Sequence, residues 1–459
     1  MEYDQIQLNI IKDLQDLIRK PSVSALNTGL EECALLISNM MNKIGIKTEL
    51  LVLSDINKPE DANNPYIPPL VFGEIKSKSN PNRKTILFYN HYDVQPVEPI
   101  RLWNHDPFGG KVENGKIYGR GSSDDKGELI TRIKAVEYFI KRFGDVPCNI
   151  KFLIEGEEEI GSPHLLNYLR QYRKKFVCDS IIWEFGYVDS QNRPIINLGM
   201  KGMLFVELTV KGPSVDIHSS LAPIIENPIW KLTKIVNELY NQDTNKILIK
   251  DWYMNMTSLS KEEKDFFNKQ PLFDEDEFKK QYGLGKLLKS GVDIRTSLSL
   301  EPTCNLSNIM TNYVKKDPKT IVPSLAIVQI DFRLVPNMNP NEQFRKLLNH
   351  LHLKKYSNLK VKYLHGLYPT RTSFKHPFVK IVKKSAEAVY EHTSIINASS
   401  AGSGPMQLIT NNSQIPCIAT GCTSIFSNIH SINEFSDINL LNKGTQLIIT
   451  IINNYSKSN

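Results

Sequence analysis

The sequence predicts an α/β fold, a mainly parallel sheet flanked by helices, with a smaller α+β domain inserted in it. Three stretches carry that prediction. Thr85-Ile-Leu-Phe-Tyr-Asn-His91-Tyr-Asp93, Asn149-Ile-Lys-Phe-Leu-Ile-Glu155 and Ile181-Ile-Trp-Glu184 are short apolar runs separated by helical patterns. Strands that alternate with helices fold as βαβ units around a parallel sheet. Each of the three ends in acid or imidazole, and the carboxyl edge of such a sheet is where open α/β folds build their sites.

In chain order, residues 4–20 place Ile6, Ile10, Leu14, Leu17 and Ile18 on one stripe, which predicts an amphipathic helix stopped at Pro21. Leu30 to Ile44 repeats that pattern, and Lys47 to Leu53 reads as a strand. Residues 55–68, rich in Asn, Pro and Asp, read as a loop. After the strand at 85–90 comes the centre of the chain, Ile117-Tyr-Gly119-Arg-Gly121-Ser-Ser-Asp124-Asp125-Lys126-Gly127-Glu128. Its glycines permit tight turns and close backbone approach, and a helical run from Leu129 follows. Near Gly199-Met-Lys-Gly202 the pattern changes. Phe205 to Lys211 and Ala326 to Arg333 alternate as half-buried strands do, with helices expected from Asn227-Pro228 to Tyr240 and from Asn341 to Leu351. Residues 243–290 form a charged insertion. The chain returns near 370 with a helix at Pro377 to Tyr390, a turn at Gly402-Ser403-Gly404-Pro405, a strand at Gln414 to Ile418, and a last helix from Asn439 to Asn453.

With 459 residues the chain is long enough for two or three domains with real cores. The formal net charge is +7, but the basic residues are dispersed and match no nucleic-acid module, so no nucleic-acid partner is expected. No apolar run approaches a membrane span, so no membrane partner is expected either. Six scattered cysteines without a Cys-x-x-Cys pair fit reduced thiols, and the first residues lack a signal-peptide pattern. A cytoplasmic location is expected.

Taken singly, each polar position has an ordinary explanation. His91 reads as a core histidine with its bonds satisfied, Asp124-Asp125 as a helix N-cap pair, and Glu157-Glu158-Glu159 as a solvated run. Their common place at strand ends points the other way. Consecutive acids there repel one another unless a cation neutralises them, and these are ligand types for a divalent metal. Other sites fail on their patterns: no Gly-x-x-x-x-Gly-Lys is followed by Ser or Thr (Gly110 to Lys116 runs into Ile117), and His-Glu-x-x-His and Gly-x-Ser-x-Gly are missing.

Three motifs together resemble the M20 family of dinuclear zinc peptidases and deacylases. They are His91-Tyr-Asp93-Val-Gln-Pro96, Gly119-Arg-Gly-Ser-Ser-Asp124-Asp125-Lys-Gly and Glu155-Gly-Glu-Glu158-Glu159-Ile-Gly-Ser. The resemblance runs from about residue 85 to 435 and is nearest to the carnosinase and cytosolic dipeptidase branch. It implies a zinc-peptidase catalytic domain formed by 1–200 and 371–459, with 201–370 as an inserted lid and dimerisation domain. It also implies two divalent ions, zinc first, with manganese or cobalt as alternatives. His91 and Glu184 would bind one ion, Glu159 and His430 the other, and Asp124 both. Glu184 departs from the aspartate common in the dipeptidase branch.

By the same resemblance Asp93 would orient His91, and Glu158 would act as general base and later proton donor. The Asp124–Asp125 peptide would be cis. Asp216-Ile-His218-Ser resembles the motif whose histidine stabilises the oxyanion, commonly from a partner subunit, which implies a homodimer. Arg333 would grip a substrate carboxylate, with Thr320 and Ser403 as further substrate contacts. Local readings stay open beside these: a backbone-capping loop histidine for His218, and a surface ion pair for Arg333. Lys126 has no role here and is expected in a surface or structural ion pair. The expected substrate is a dipeptide or short peptide end. The alternative is an N-acyl amino acid cleaved by a deacylase of the desuccinylase or deacetylase type. A metal-binding protein without catalysis is disfavoured by the intact Glu158.

Overall fold

The structure, a computed structural model, describes residues 9–53, 66–79, 82–257, 259–311, 319–356, 358–410 and 415–458. Its larger sheet has eight strands in the spatial order Lys47–Leu51, Leu70–Ile75, Asn149–Glu155, Thr85–His91, Ser180–Trp183, Cys417–Ala419, Ile195–Asn197 and Ile395–Asn397. Pairing is parallel through the centre, from Asn149–Glu155 across to Cys417–Ala419, and again between the last two strands. The first two strands add on antiparallel.

Central strands buried on both faces explain the near-continuous apolar runs. Ile86, Phe88, Ile150, Phe152, Ile154, Ile182 and Ile418 point into one core, under the helices Ile10–Ile18, Leu30–Lys43, Lys126–Phe143, Pro377–Tyr390 and Ile438–Ser456. Their neighbours Leu87, Tyr89, Leu153, Ile181, Trp183 and Cys417 point into a second core, closed by Leu165 and Tyr168 of the helix Leu165–Gln171 and by Met406. Truncating a residue such as Phe152 to alanine would cost about 3–5 kcal/mol at so closed a site. The result is a three-layer α/β/α sandwich.

The helix Lys126–Phe143 is the innermost element. Every residue from Lys126 to Phe139 is buried, charged ones included, and Gly144 ends the helix with φ 69° and an N–H donated to the Ile140 carbonyl. Lys126 departs from expectation. It is buried and makes no ion pair among the described residues; its Nζ donates to the carbonyls of Leu17 (3.0 Å) and Lys20 (2.8 Å), where the first helix ends. The ammonium thereby satisfies carbonyls that a helix end leaves without partners.

At Gly202 the chain enters a four-stranded antiparallel sheet ordered Thr303–Thr311, Leu325–Leu334, Gly202–Lys211, Leu359–Leu367. Alternate residues of its two central strands are buried under the helices Pro228–Leu239 and Pro340–Leu353. Asn227 and Asn339 cap those helices, each with a proline in the first turn. Thr303–Thr311 is an edge strand with a largely exposed face. The division into 1–200 with 371–459 and an inserted 201–370 remains a proposed one. Within the insertion, Phe266 and Phe267 of the helix Lys261–Asn268 pack on Phe374 and join the main core instead of the smaller one. Among the described residues, no helix is long and apolar enough to cross a membrane.

Candidate metal centre

Parallel strands place their carboxyl ends on one edge, and the polar residues collect there. His91 is the last residue of Thr85–His91, and Glu184 follows Ser180–Trp183 directly. Glu159 sits on a single 3-10 turn, Glu158–Ile160, just beyond Asn149–Glu155. Asp124 lies two residues ahead of the innermost helix, and its peptide bond to Asp125 is cis. His430 arrives from a loop late in the chain, with φ 58°.

These five side chains meet in two sets that share Asp124. His91 Nε2 lies 3.0 Å from Asp124 Oδ1 and 4.0 Å from Glu184 Oε2. His430 Nε2 lies 3.1 Å from Asp124 Oδ2 and 3.0 Å from Glu159 Oε2. Ligand atoms of His91, Asp124 and Glu159 all fall within 4.8 Å of one another. No lysine or arginine side chain pairs with these three carboxylates among the described residues.

The donor set fits divalent ions. Among the described residues, Oε1 of Glu159 and Oε2 of Glu184 are buried without a hydrogen-bond partner, an arrangement that costs free energy unless something positive completes it. Burial, and then repulsion from Asp124, push the Glu159 carboxyl up; burial and neighbouring aspartates push Glu184 well up. The imidazoles respond to the same surplus of negative charge. Bonds to Asp124 and Glu159 raise His430 to about 10, and in His91 bonds to Asp124 and Asp93 outweigh burial and hold its pKa well above the usual value. Carboxylate oxygens and imidazole nitrogens in this proportion suit divalent metal ions.

Surrounding groups fix the donors. Asp93 takes the amide N–H groups of Glu158 (3.1 Å) and Glu159 (3.0 Å) on its two oxygens, while its main-chain carbonyl lies 3.0 Å from His91 Nδ1. The Asp93 carboxylate also faces the same ring nitrogen, its Oδ1 lying 3.4 Å from His91 Nδ1. Gln95 bonds Glu159 Oε2 at 2.8 Å. Several supports were not anticipated. Asp125 accepts the N–H of His91 and the amide of Asn90. Arg132, fully buried, donates to the carbonyls of Tyr89, Trp183 and Glu184 at the ends of two strands. Glu434, four residues past His430, accepts from Arg120 and from the amides around Asp124. An acid close after His430 was the available signal.

Glu158 is part-buried beside Glu159, and its side chain makes no hydrogen bond among the described residues. Burial first, and then Glu184, push its carboxyl well up. The remaining expected residues lie elsewhere. His218 is exposed on the two-residue strand Ile217–His218, paired with Ile321 and Val322, and its Nδ1 accepts the Ser220 amide. In a single chain, none of its contacts reaches the five-donor cluster. Thr320 adjoins it, the Thr320 carbonyl accepting from the Ser219 amide. Arg333 is opposite Met203 in the smaller sheet and 3.5 Å from Asp331. Ser403 donates to the Gly202 carbonyl at 3.0 Å, where the chain crosses between sheets.

A three-layer α/β/α fold with paired donor sets on its carboxyl edge defines a metal-dependent hydrolase. The chain belongs to the peptidase family M20/M25/M40, which residues 87–454 match. It is 28% identical over 479 residues to the Cys-Gly metallodipeptidase dug1 of Schizosaccharomyces pombe, covering 98% of this chain and 96% of the relative. To the human Beta-Ala-His dipeptidase it is 29% identical over 318 residues, 68% of this chain and 62% of the relative. An M20 family metallo-carboxypeptidase from Sulfolobus solfataricus superposes with a TM-score of 0.87 and 34% identity, over 98% of this chain and 99% of the other. Dug1p from Saccharomyces cerevisiae superposes with a TM-score of 0.85 at 24% identity, over 98% and 96% of the two chains, which establishes the shared fold.

Proposed function

We propose that the protein is a dipeptidase that hydrolyses the amide bond of a dipeptide or short peptide end, using two divalent ions, zinc ahead of manganese or cobalt. The observation that carries this reading is the pair of donor sets sharing Asp124, with the unbonded carboxyl of Glu158 beside them. His91, Asp124 and Glu184 would hold one ion, and Asp124, Glu159 and His430 the other. Such ions, when bound, make water acidic enough to attack near neutral pH and polarise the scissile carbonyl. Glu158 takes the proton of the attacking water and passes it to the leaving amine, a task that requires a carboxylate not committed as a ligand. Asp93 holds the turn that aims Glu158.

Arg333 is assigned to the substrate carboxylate, which a planar guanidinium can grip by two bonds. Thr320 and Ser403 are assigned to further substrate contacts. His218 is assigned to the oxyanion of a partner subunit's site, so the working form is a homodimer. An exposed edge strand at Thr303–Thr311 carrying Leu306 and Ile309, and the exposed Ile224 and Trp230 on the same domain, support a subunit contact there. Relatives named as dipeptidases favour this activity over N-acyl amino-acid deacylation. A cytoplasmic location accords with six free cysteines, none in a disulfide.

The deciding experiment is a panel of dipeptides and N-acyl amino acids, assayed on chelator-stripped protein before and after adding zinc or manganese. Metal-dependent release of amino acids from dipeptides is expected. Cleavage of the N-acyl compounds alone would overturn the reading.

A further inference from the structure

Glu434, already seen to support the Asp124 turn, has no part in the proposed reaction. Its side chain is fully buried, yet it belongs to a loop whose other functional residue, His430, is half exposed. One oxygen, Oε2, accepts from Arg120 Nη1 at 2.8 Å and from the Gly121 amide at 3.1 Å. The other, Oε1, accepts from the amides of Ser123 at 2.9 Å and Asp124 at 3.1 Å. Four donors thus converge on one carboxylate, three of them main-chain groups of the turn that ends in the shared ligand. The Arg120 guanidinium is itself held, donating to the Pro96 carbonyl and lying 5.3 Å from the Trp103 ring.

The loop on the other side of this clamp takes a left-handed backbone at three positions. Asn428, His430 and Asn433 all have φ between 57° and 58°, a region that residues with a Cβ enter at a cost. What fixes the loop is attachment: Phe435 closes it onto the Ser427 carbonyl, Asn433 accepts the Asn104 amide, and Glu434 grips the Gly121–Asp124 turn. Asp124 and His430 come from unrelated parts of the chain, and Glu434 is bonded to the backbone of the first and lies four residues from the second.

We infer that Glu434 is a positioning residue that sets the His430 loop in register with Asp124, and so selectively builds the metal position formed by Asp124, Glu159 and His430. The inference rests on the two-ion reading above. Groups that orient ligands typically alter metal affinity by about 10–100-fold when removed. Glutamine at 434 keeps the shape but turns an amino group towards one of the two donor pairs, so two bonds are replaced by a clash of donors.

The test is a cobalt titration of chelator-stripped wild type and Glu434→Gln, followed by visible absorption, with amide hydrogen exchange measured on the metal-free proteins. The variant is expected to bind its first ion within about threefold of wild type and its second at least about tenfold more weakly. The amides of Gly121, Ser123 and Asp124 should also exchange faster. Unchanged second-ion binding and unchanged exchange overturn the inference. Equal weakening of both ions with a lowered melting temperature overturns it too, since that is a general structural loss. If Glu434→Gln does not fold, Glu434→Asp decides by the same readings, because the shorter carboxylate keeps the charge and cannot span both donor pairs. A wild type that takes only one ion sinks the two-ion reading instead, and exchange at the three amides then decides the clamp on its own.

Discussion

The carboxylate of Asp93 accepts the main-chain N–H of Glu158 at 3.1 Å, and its second oxygen accepts that of Glu159 at 3.0 Å. One buried acid thereby sets the direction of the turn that presents the proposed base and a proposed ligand. Asp93→Ala leaves both amides without acceptors and should lower kcat by about 10–100-fold. Asp93→Asn, able to accept on one atom only, should fall between. Steady-state kinetics at saturating metal checks this, and wild-type kcat in Asp93→Ala would show that the turn holds itself.

Glu158→Gln should keep its metal and lose turnover by at least about a hundredfold. Metal analysis beside the kinetics separates the outcomes. Metal lost together with activity would make Glu158 a ligand; neither lost would end its role as base.

His218→Ala and Glu158→Gln should each be nearly inactive as homodimers, since an oxyanion donor is typically worth on the order of a hundredfold or more. Mixed under conditions of proven subunit exchange, they should regain activity, because some heterodimers pair one intact Glu158 with an intact His218 across the interface. A dead mixture would show that His218 does not act across subunits. A fully active His218→Ala would leave it the local task seen in one chain, capping the Ser220 amide.

Glu155 predicts a pH effect on stability. Burial pushes its carboxyl from the usual 4.5 to about 8, although Tyr89 and Ser162 donate to it. Between those values the unfolded chain has released this proton and the folded chain keeps it, so stability falls as pH rises through the window and levels off above it. Glu155→Gln removes the proton from the balance. In metal-stripped protein, urea unfolding should show the variant gaining on wild type by on the order of 2–4 kcal/mol between pH 4.5 and 8.5. A difference independent of pH would mean that Glu155 is ionised throughout.

How much of this is legible in the sequence depends on the kind of partner each residue has. The strands ending in His91, Glu155 and Trp183 declare themselves because burial on both faces leaves near-continuous apolar runs. The helix at Pro377–Tyr390 matches expectation, its start fixed by His376 and proline. Thr303–Thr311 is not legible, since an exposed edge strand has no apolar alternation to read. Ile6 and Gln414, assigned to a helix and a strand, lie outside the described residues. Lys126 misleads because its partners are main-chain carbonyls, which no side-chain pattern reveals. Glu434 and Asp125 are hidden for the same reason, each serving main-chain amides of residues far along the chain.

The clamp between Asp124 and Glu434 joins residues 310 positions apart. At roughly 5–20 residues per second, a ribosome needs on the order of 15–60 s to travel that distance. For most of this interval, from the synthesis of Glu184 to that of His430, the nascent chain carries His91, Asp124, Glu159 and Glu184 and lacks His430. The sheet that holds these residues also needs the late strand Cys417–Ala419, and its core needs the last helix, Ile438–Ser456. The order of residues along the chain thus makes the proposed centre one of the last parts that translation completes.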